Sequence, residues 1–237
     1  MLVSIRNNRT RSAAKPVRPA NVTPPAHLAI ARRGRGRPKL MSDAEQAQSI
    51  ARQARDLFLE KGYARTTMED IVARCHISKS TLYRLFPNKA EVFGAVIDDH
   101  RSSMLALPGA YDDVPIDEAL ARIFRVDIDE EANHERMALI RFVLIEAREF
   151  PELRTLLHER GGDRSRQDLA RWLKKQQARG RIDLPDASDA AKALMDLIFG
   201  AIAVKSETAH EWPARPERIR YLCNCIRMFT RGILPRK

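Results

Sequence analysis

The side chains best suited to bind an anionic partner lie between residues 67 and 89. They are Thr67, Ser78, Lys79, Ser80, Thr81, Tyr83 and Lys89. Hydroxyl and ammonium groups at a helix N-terminus complement phosphate oxygens, and an ammonium group can also donate to the O6 and N7 acceptors of guanine. Lys79 and Ser80 are therefore predicted to read base edges. The others are expected to hold the phosphate backbone, and Ser78 is also a candidate helix N-cap.

Catalytic chemistry has no comparable pattern in the chain. Four of the six histidines are scattered at positions 76, 134, 158 and 210, and no HExxH, Ser/His/Asp or glycine-rich phosphate-loop motif is present. Cys223 and Cys225 are two residues apart, so on a helix their thiols point about 200° away from each other and cannot share one ion. The sequence predicts a protein that is not an enzyme and carries no metal ion or cofactor.

Helix-start signals surround the candidate binding residues. Thr66-x-x-Glu69 has the spacing of a capping box, in which each side chain bonds the backbone beside the other. Asn88-x-x-Glu91 has the same spacing, and Ser78 marks a further helix start between them. These signals predict two short helices with a turn between them.

The two short helices are expected over residues 67–74 and 78–85, and a turn of about three residues joins them. A preceding helix over residues 42–61 ends at Gly62 and packs behind the pair, while a fourth helix over residues 88–106 leads away. A short second helix with a polar, exposed start suits insertion of its N-terminal end into a DNA major groove.

Residues 42–93 resemble the DNA-binding domain of the TetR (tetracycline-repressor) family of bacterial transcription regulators. The match has no gap and rests on Ala54, Leu57, Phe58, Gly62, Tyr63, Thr66, Thr67, Met68, Ile71, Ser78, Lys79, Thr81, Leu82, Tyr83, Phe86, Lys89 and Phe93. It departs at Cys75-His76-Ile77, where the family usually has Ala-Gly-Val and the glycine is left-handed. The resemblance implies that the hydroxyl and ammonium residues named above contact DNA, and that a homodimer reads a palindromic operator.

The remainder of the chain is predicted to be helical. The expected helices cover residues 116–129, 133–150, 151–179, 187–206 and 215–232. No alternating strand pattern of useful length occurs, so the predicted fold class is all-α. Three parts are expected: a disordered basic arm (1–40), a three-helix helix-turn-helix domain (41–93), and a larger helical domain for effector binding and dimerisation (94–237).

The last two helices form the predicted dimer interface. Residues 190–204 are apolar on nearly every side, and such a helix needs burial on every side. In the resembled family the last two helices make this contact between protomers. The predicted interface residues are Leu194, Leu197, Ile198, Ile202, Ile219, Leu222, Ile226 and Phe229. The alternative is that both helices belong to the core of a monomer.

An effector pocket is implied by the same resemblance, because family members usually bind a small ligand among the central helices. The candidate lining residues are Phe124, Arg141, Phe142, Ile145 and Trp172. Arg141 either binds an acidic ligand or pairs with Glu146. The alternative for each of the others is an ordinary place in the core, and the sequence does not identify the ligand.

The first forty residues carry nearly all of the net charge of +11. They contain ten Lys and Arg and no Asp or Glu, whereas the other 197 residues contain 32 basic and 31 acidic side chains. Five prolines keep such a segment extended, and it cannot bury a core. Arg35-Gly36-Arg37-Pro38-Lys39 is similar to the core of an AT-hook, which inserts guanidinium groups into an A·T-rich minor groove. Arg35, Gly36, Arg37 and Lys39 are therefore DNA-binding candidates; the alternatives are a non-specific tether, or Met41 as the true start.

The predicted function is sequence-specific regulation of transcription, as a repressor released by a small-molecule effector. The alternative is a nucleoid-type architectural protein with weak sequence preference. No apolar run reaches the roughly 18 to 20 residues of a membrane span, and the three cysteines do not form the pattern of a secreted disulfide framework. We expect the protein in the bacterial cytoplasm, associated with the nucleoid and not with a membrane.

Overall fold

The computed structural model describes residues 41–203 and 215–233, with the side chains of residues 201–203 left out of the description. In these ranges the backbone forms α-helices, one π-helical segment and no strand, which confirms the all-α prediction. The helices are α1 (Asp43–Lys61), α2 (Met68–Cys75), α3 (Lys79–Leu85), α4 (Lys89–Met104), α5 (Ile116–Ile123), α6 (Glu130–Glu146), α7 (Pro151–Leu156), α8 (Arg164–Ala178), α9 (Ala187–Ala203) and α10 (Arg215–Ile233). The π-helical segment, Leu157–Asp163, connects α7 to α8. None of the helices in these ranges is long and apolar enough to cross a bilayer.

Side-chain caps begin the first four helices. Ser42, Thr67, Ser78 and Asn88 each accept a hydrogen bond from the backbone N–H three residues on. The prediction of a capping box at Thr66 is wrong by one residue, since the reciprocal pair is Thr67 with Asp70. Thr66 is buried instead, and its hydroxyl donates to the Gly62 carbonyl at 2.8 Å.

Helix boundaries in the second half depart further from the sequence prediction. The expected single helix over residues 151–179 is divided by the π-helical segment, which contains Gly161 and Gly162. The helix expected over residues 116–129 ends at Ile123, because Arg125 adopts a left-handed conformation with φ of 49°. Glycine and left-handed residues interrupt the regular hydrogen-bond ladder, so they shorten helices that apolar periodicity alone extends.

Two hydrophobic cores hold the helices together. The first core joins α1–α4 to α6 and α7, with Phe58, Phe93 and Leu139 fully buried. The second core joins α5 and α8–α10, with Leu120, Leu173 and Leu194 at its centre. The predicted domain boundary after residue 93 falls inside α4, whose residues 92–97 pack in the first core while Leu105, just beyond the helix, packs in the second. The division into two domains after residue 93 therefore remains a prediction.

The predicted dimer residues need correction, because most of them face the core of their own protomer. Leu194, Ile198, Leu222 and Ile226 are at most 2% exposed. Leu197, Ile219 and Phe229 are half-buried against the same core, and the side chain of Ile202 lies outside the described residues. The apolar character of α9 reflects its packing against α8 and α10 within one chain. Any partner must therefore contact the outer surfaces of these helices.

Candidate nucleic-acid interface and ligand cavity

The reading pair consists of α2 and α3, joined by His76, Ile77 and Ser78. His76 closes α2 in the left-handed conformation, with φ of 51° and ψ of 42°, as its place in the turn predicts. Ile71 and Leu82 are fully buried, and they fix the two helices to each other and to α1. The polar start of α3 is left exposed, since Ser78, Lys79 and Ser80 all face solvent.

Hydroxyl groups at the start of α3 form a connected set. The Ser78 Oγ accepts from the Thr81 backbone N–H at 3.1 Å, and it lies 2.8 Å from both Ser80 Oγ and Thr81 Oγ1. This cap leaves the first N–H groups of α3 and the Ser80 hydroxyl at a protein surface that also carries Tyr83, which is 46% exposed. The arrangement offers several neutral donors at the positive end of a helix, which suits phosphate or a base edge.

Lys79 forms an ion pair with Glu69 in the protein without DNA. Its Nζ donates to Glu69 Oε1 at 2.7 Å, and both side chains are well exposed. This hydrogen bond raises the pKa of Lys79 and lowers the pKa of Glu69. Because exposed ion pairs are weak, the ammonium group can exchange Glu69 for a base acceptor.

Lys89 and Thr67 have internal contacts that the sequence did not indicate. The Lys89 Nζ donates to the Tyr63 carbonyl at 2.6 Å and lies 4.3 Å from the centroid of the Tyr63 ring. Burial lowers the pKa of Lys89, while Glu146 and Glu152 act in the opposite direction. Thr67 caps α2 but remains exposed. Lys89 thus fixes the corner between α1 and α2 in addition to any role at a phosphate.

That corner also connects the reading pair to α6. The Glu146 Oε2 accepts from the Tyr63 backbone N–H at 3.2 Å. Tyr63 stacks edge-on against Phe93 and Phe150, with ring centroids 5.5 and 5.3 Å apart. These contacts join the C-terminal end of α6 to the residue that follows α1. The four candidate residues of the basic arm, at positions 35, 36, 37 and 39, lie outside the described residues.

A mostly apolar cavity of about 350 Å³ lies where the two cores meet. Its wall consists of Ile97, His100, Arg101, Met104, Leu105, Ile140, Arg154, Leu157, His158, Gly161, Gly162, Ser165, Met195 and Phe199. A more open depression of about 490 Å³ follows the outer side of α1 alone, and a single helix cannot enclose a ligand. The cavity is the candidate ligand site, since its size lies within the range of small-molecule sites.

None of the five residues predicted for the effector pocket lines this cavity. Ile145 is 67% exposed, and Arg141 is exposed as well. Phe142 packs in the first core, whereas Phe124 and Trp172 are buried in the second. The prediction relied on residue type, but the direction in which α6 faces is set by its packing on α1 and α4. One signal for the cavity was present in the sequence, the Gly161-Gly162 pair inside a helical pattern.

Ion pairs tie the cavity wall to α4. Arg160, in the π-helical segment, donates to Glu91 at 2.7 Å and to Asp98 at 3.4 Å. Its guanidinium group lies directly over Gly94, where an added Cβ would come within 2.6 Å of Cζ. Arg101 of α4 pairs in turn with Asp168 of α8. These contacts hold the π-helical segment and α8 against α4, the helix that follows the reading pair and contributes to the cavity wall.

Metal-ligating groups do not converge in the part of the chain that the structure describes, where no three His, Cys, Asp or Glu side chains share a site. Cys225 is buried, while Cys75 and Cys223 are half-buried, and all three are free thiols.

Comparison with known proteins gives matches in both halves of the chain. Residues 50–96 match the family model of bacterial regulatory proteins of the tetR family, and residues 118–232 match the C-terminal domain of AefR-like transcriptional repressors. An uncharacterized HTH-type transcriptional regulator of Mycobacterium tuberculosis is 31% identical over 151 residues, which is 63% of this chain and 70% of that protein. The DNA-binding transcriptional repressor TetR of Mycobacteroides abscessus is 40% identical over 50 residues, 21% of this chain and only 26% of its own length.

Solved structures agree with these matches. A TetR-family regulator from Mesorhizobium loti aligns with a TM-score of 0.61 at 24% identity, covering 82% of this chain and all of that one. The flavonoid-responsive regulator FrrA aligns with a TM-score of 0.58 at 25% identity and the same coverage. The AefR-like family model and both curated relatives are named as transcriptional repressors or regulators, which confirms the prediction of a protein that is not an enzyme.

Proposed function

Since this chain belongs to the TetR family and is a DNA-binding transcriptional regulator, we propose that it represses transcription from a palindromic operator and is released by a small molecule. The observation that carries the proposal is the exposed, capped start of α3, where Ser78, Lys79 and Ser80 present donors on a buried scaffold. Lys79 and Ser80 read base edges, and Thr67, Thr81, Tyr83 and Lys89 hold phosphates. The match to AefR-like repressors supports repression over activation.

A homodimer supplies the second reading helix, because two-fold dimers read paired half-sites. The outer surface of α10 carries Tyr221 and Met228, which are 47% and 64% exposed and lie two turns apart. On α9, Ala193 and Gly200 are exposed and allow close approach of a second helix. We assign the dimer contact to this surface in place of the inward-facing residues predicted from the sequence.

The dimer proposal is tested by charge substitution on the exposed surface. Tyr221→Asp together with Met228→Glu should give a stable monomer in sedimentation experiments. Leu144→Glu is the control, since Leu144 is 43% exposed on α6 and lies outside this surface. A double variant that remains dimeric would contradict the assignment.

Effector release follows from the position of the cavity between α4 and the π-helical segment. In this proposal a ligand that expands the cavity displaces the π-helical segment, which carries Arg160 with its contacts to Glu91 and Asp98, and α4 then changes the angle of the reading pair. A response to small molecules in the relative FrrA, which is flavonoid-responsive, supports this proposal. The basic arm adds minor-groove contacts through Arg35 and Arg37, with Gly36 and Lys39 beside them, and the protein acts on the bacterial nucleoid in the cytoplasm.

Genome-wide footprinting tests the regulatory function against the architectural alternative. A repressor gives a small number of peaks that contain an inverted repeat, whereas an architectural protein coats DNA diffusely. Diffuse binding that survives Lys79→Ala unchanged would refute the proposal. The genes beside the peaks would then show what is regulated.

A further inference from the structure

Arg136 is a buried positive charge that has no acidic partner among the residues that the structure describes. It lies on α6, is 4% exposed, and its Nε donates to Asn133 Oδ1 at 3.2 Å. Its Nη1 is buried and has no hydrogen-bond partner among the described residues. A guanidinium group stays protonated, and an unpaired buried charge is strongly unfavourable. The protein therefore holds a site for negative charge that the described residues leave unfilled.

The groups around Arg136 increase this excess of positive charge. Burial, followed by the charges of Arg218 and Arg125, lowers the pKa of Arg136 to about 10. Arg218 is 1% exposed and already pairs with Glu130, because its Nη1 donates a hydrogen bond to Glu130 Oε2 at 2.9 Å. Glu130 is itself 58% exposed. No neighbouring carboxylate is thus available to neutralise Arg136 within the part of the chain that is described.

His100 connects this charge to the cavity. It lines the cavity wall, is 7% exposed, and its Nε2 has no partner among the described residues. Burial lowers the pKa of His100 to about 4, and the charges of Arg55 and Arg136 add to the effect. Ile140, one turn after Arg136 on α6, also lines the cavity. Two lining residues, His100 and Arg101, thus carry a buried nitrogen without a partner among the described residues, His100 Nε2 and Arg101 Nε. Arg136 is not itself a lining residue, but its charge acts on His100.

The rest of the wall is complementary to an amphipathic acid. Apolar side chains form most of it, including Met104, Leu157 and Phe199. The titratable side chains in the wall are His100, Arg101, Arg154 and His158, and none of the lining residues is acidic. A cationic ligand would meet like charge, and an uncharged one would leave Arg136 unpaired.

Resting on the effector site proposed above, we propose that the cavity binds an organic acid whose apolar body fills the cavity and whose carboxylate approaches His100 and Arg136. The positive charge of Arg136 attracts the carboxylate from behind the wall. His100 Nε2 donates a hydrogen bond to the carboxylate after the imidazole takes up a proton, which the ligand's negative charge favours. Such charge-assisted hydrogen bonds are stronger than neutral ones and give selectivity for the acid over its amide.

Matched pairs of compounds test this inference on the full-length protein without DNA. The probes are 1-naphthoate with 1-naphthamide, and octanoate with octan-1-ol, measured by calorimetry and thermal shift. We expect each acid to bind about tenfold or more tightly than its neutral counterpart, since hydrogen bonds to charged groups are the larger ones. Equal binding within the pairs, or no binding of either acid, would overturn the proposal.

Arg136→Met and Arg141→Met form a matched pair of variants on α6, one buried and one exposed. Arg136→Met should abolish the preference for the acid and should not lower the melting temperature of the ligand-free protein, because it removes an unpaired buried charge. Arg141→Met should keep the preference. Persistence of the preference in Arg136→Met, or a lower ligand-free melting temperature than in Arg141→Met, would refute the role of Arg136.

Operator binding separates this inference from the proposed function. Acid binding that leaves operator affinity unchanged would refute release by an effector but keep the carboxylate site. Release of the operator by the neutral compounds alone would support the proposed function and refute the inference that the ligand is an organic acid.

Discussion

The reading region, α1–α4, and the ligand region, α5–α10, are built by different means. In the reading region every helix begins at a side-chain cap, whereas in the ligand region α6 has the Asp129 cap but α5, α7 and α8 have no side-chain hydrogen bond at their first turn. Local signals thus define the start of every reading helix, and three helices of the ligand region depend on long-range packing instead. This difference explains how a regulator can keep its DNA-reading surface constant while the wall of its ligand cavity adapts. Only the cavity wall depends on contacts that a ligand can change.

The largest expected effect concerns the contact between the two regions. Phe93 is fully buried, and its ring contacts Phe58, Tyr63 and Phe142. Phe93→Ala should lower the free energy of unfolding by about 3–5 kcal/mol. Because the first core includes both α1–α4 and α6, denaturation followed by circular dichroism should remain a single transition. Two separate transitions would show that the regions fold independently.

A second effect should appear on acidification, at His100 of α4 in the wall of the cavity. The pKa of His100 is about 4 in the fold and 6.5 in the unfolded chain, because burial disfavours the charged form. As pH falls from 6.5 to 4 only the unfolded state takes up the proton, so the free energy of unfolding should fall by about 3 kcal/mol and then level off. His100→Gln should remove this part of the pH dependence in urea titrations. An unchanged profile would show that His100 is not buried as a neutral imidazole.

Two substitutions in the reading region should distinguish contacts to DNA bases from contacts to the DNA backbone. Lys79→Ala should cost about 1–3 kcal/mol at one base pair of each half-site and leave the other positions unchanged. Lys89→Ala should weaken binding to all sequences and make its salt dependence shallower. It should also lower the melting temperature, since the contact with the Tyr63 carbonyl is lost. The same uniform loss in both variants, measured by fluorescence anisotropy on operator variants, would refute the division.

The smallest effect compares one cap from each region. Ser78 begins α3 and Asp129 begins α6, and each accepts from a backbone N–H, at 3.1 and 2.7 Å respectively. Replacement of either by alanine should cost about 1 kcal/mol of stability. Only Ser78→Ala should also weaken operator binding, because it releases the start of the reading helix. Equal loss of operator affinity in both variants would remove the distinction between the regions.

The sequence predicted most of the reading region because its signals are local. Ser78 and Asn88 were identified as caps from the sequence, and the left-handed position at His76 followed from the family resemblance. The error at Thr66 arose between two adjacent threonines, and only tertiary burial of the first one decides which of them caps α2.

The cavity could not be predicted in the same way. Phe142 and Ile145 were chosen for residue type, yet on α6 Phe142 packs in the first core and Ile145 is exposed to solvent. His100 and Arg136, which matter most there, are polar residues in helices whose burial depends on neighbours far along the chain. Most of the predicted dimer residues pack within one protomer, since an apolar pattern does not indicate whether the same chain or a partner covers a helix.

Gly94 has a consequence for how variants of this protein would behave in cells. The bare backbone at this position allows Arg160 to lie flat on α4 between Glu91 and Asp98. A methyl group there would displace the guanidinium group while touching neither operator nor ligand. Alleles that respond weakly to the proposed effector, or that are constitutive, should therefore accumulate at position 94, and their suppressors should map to position 160, although neither residue lines the cavity.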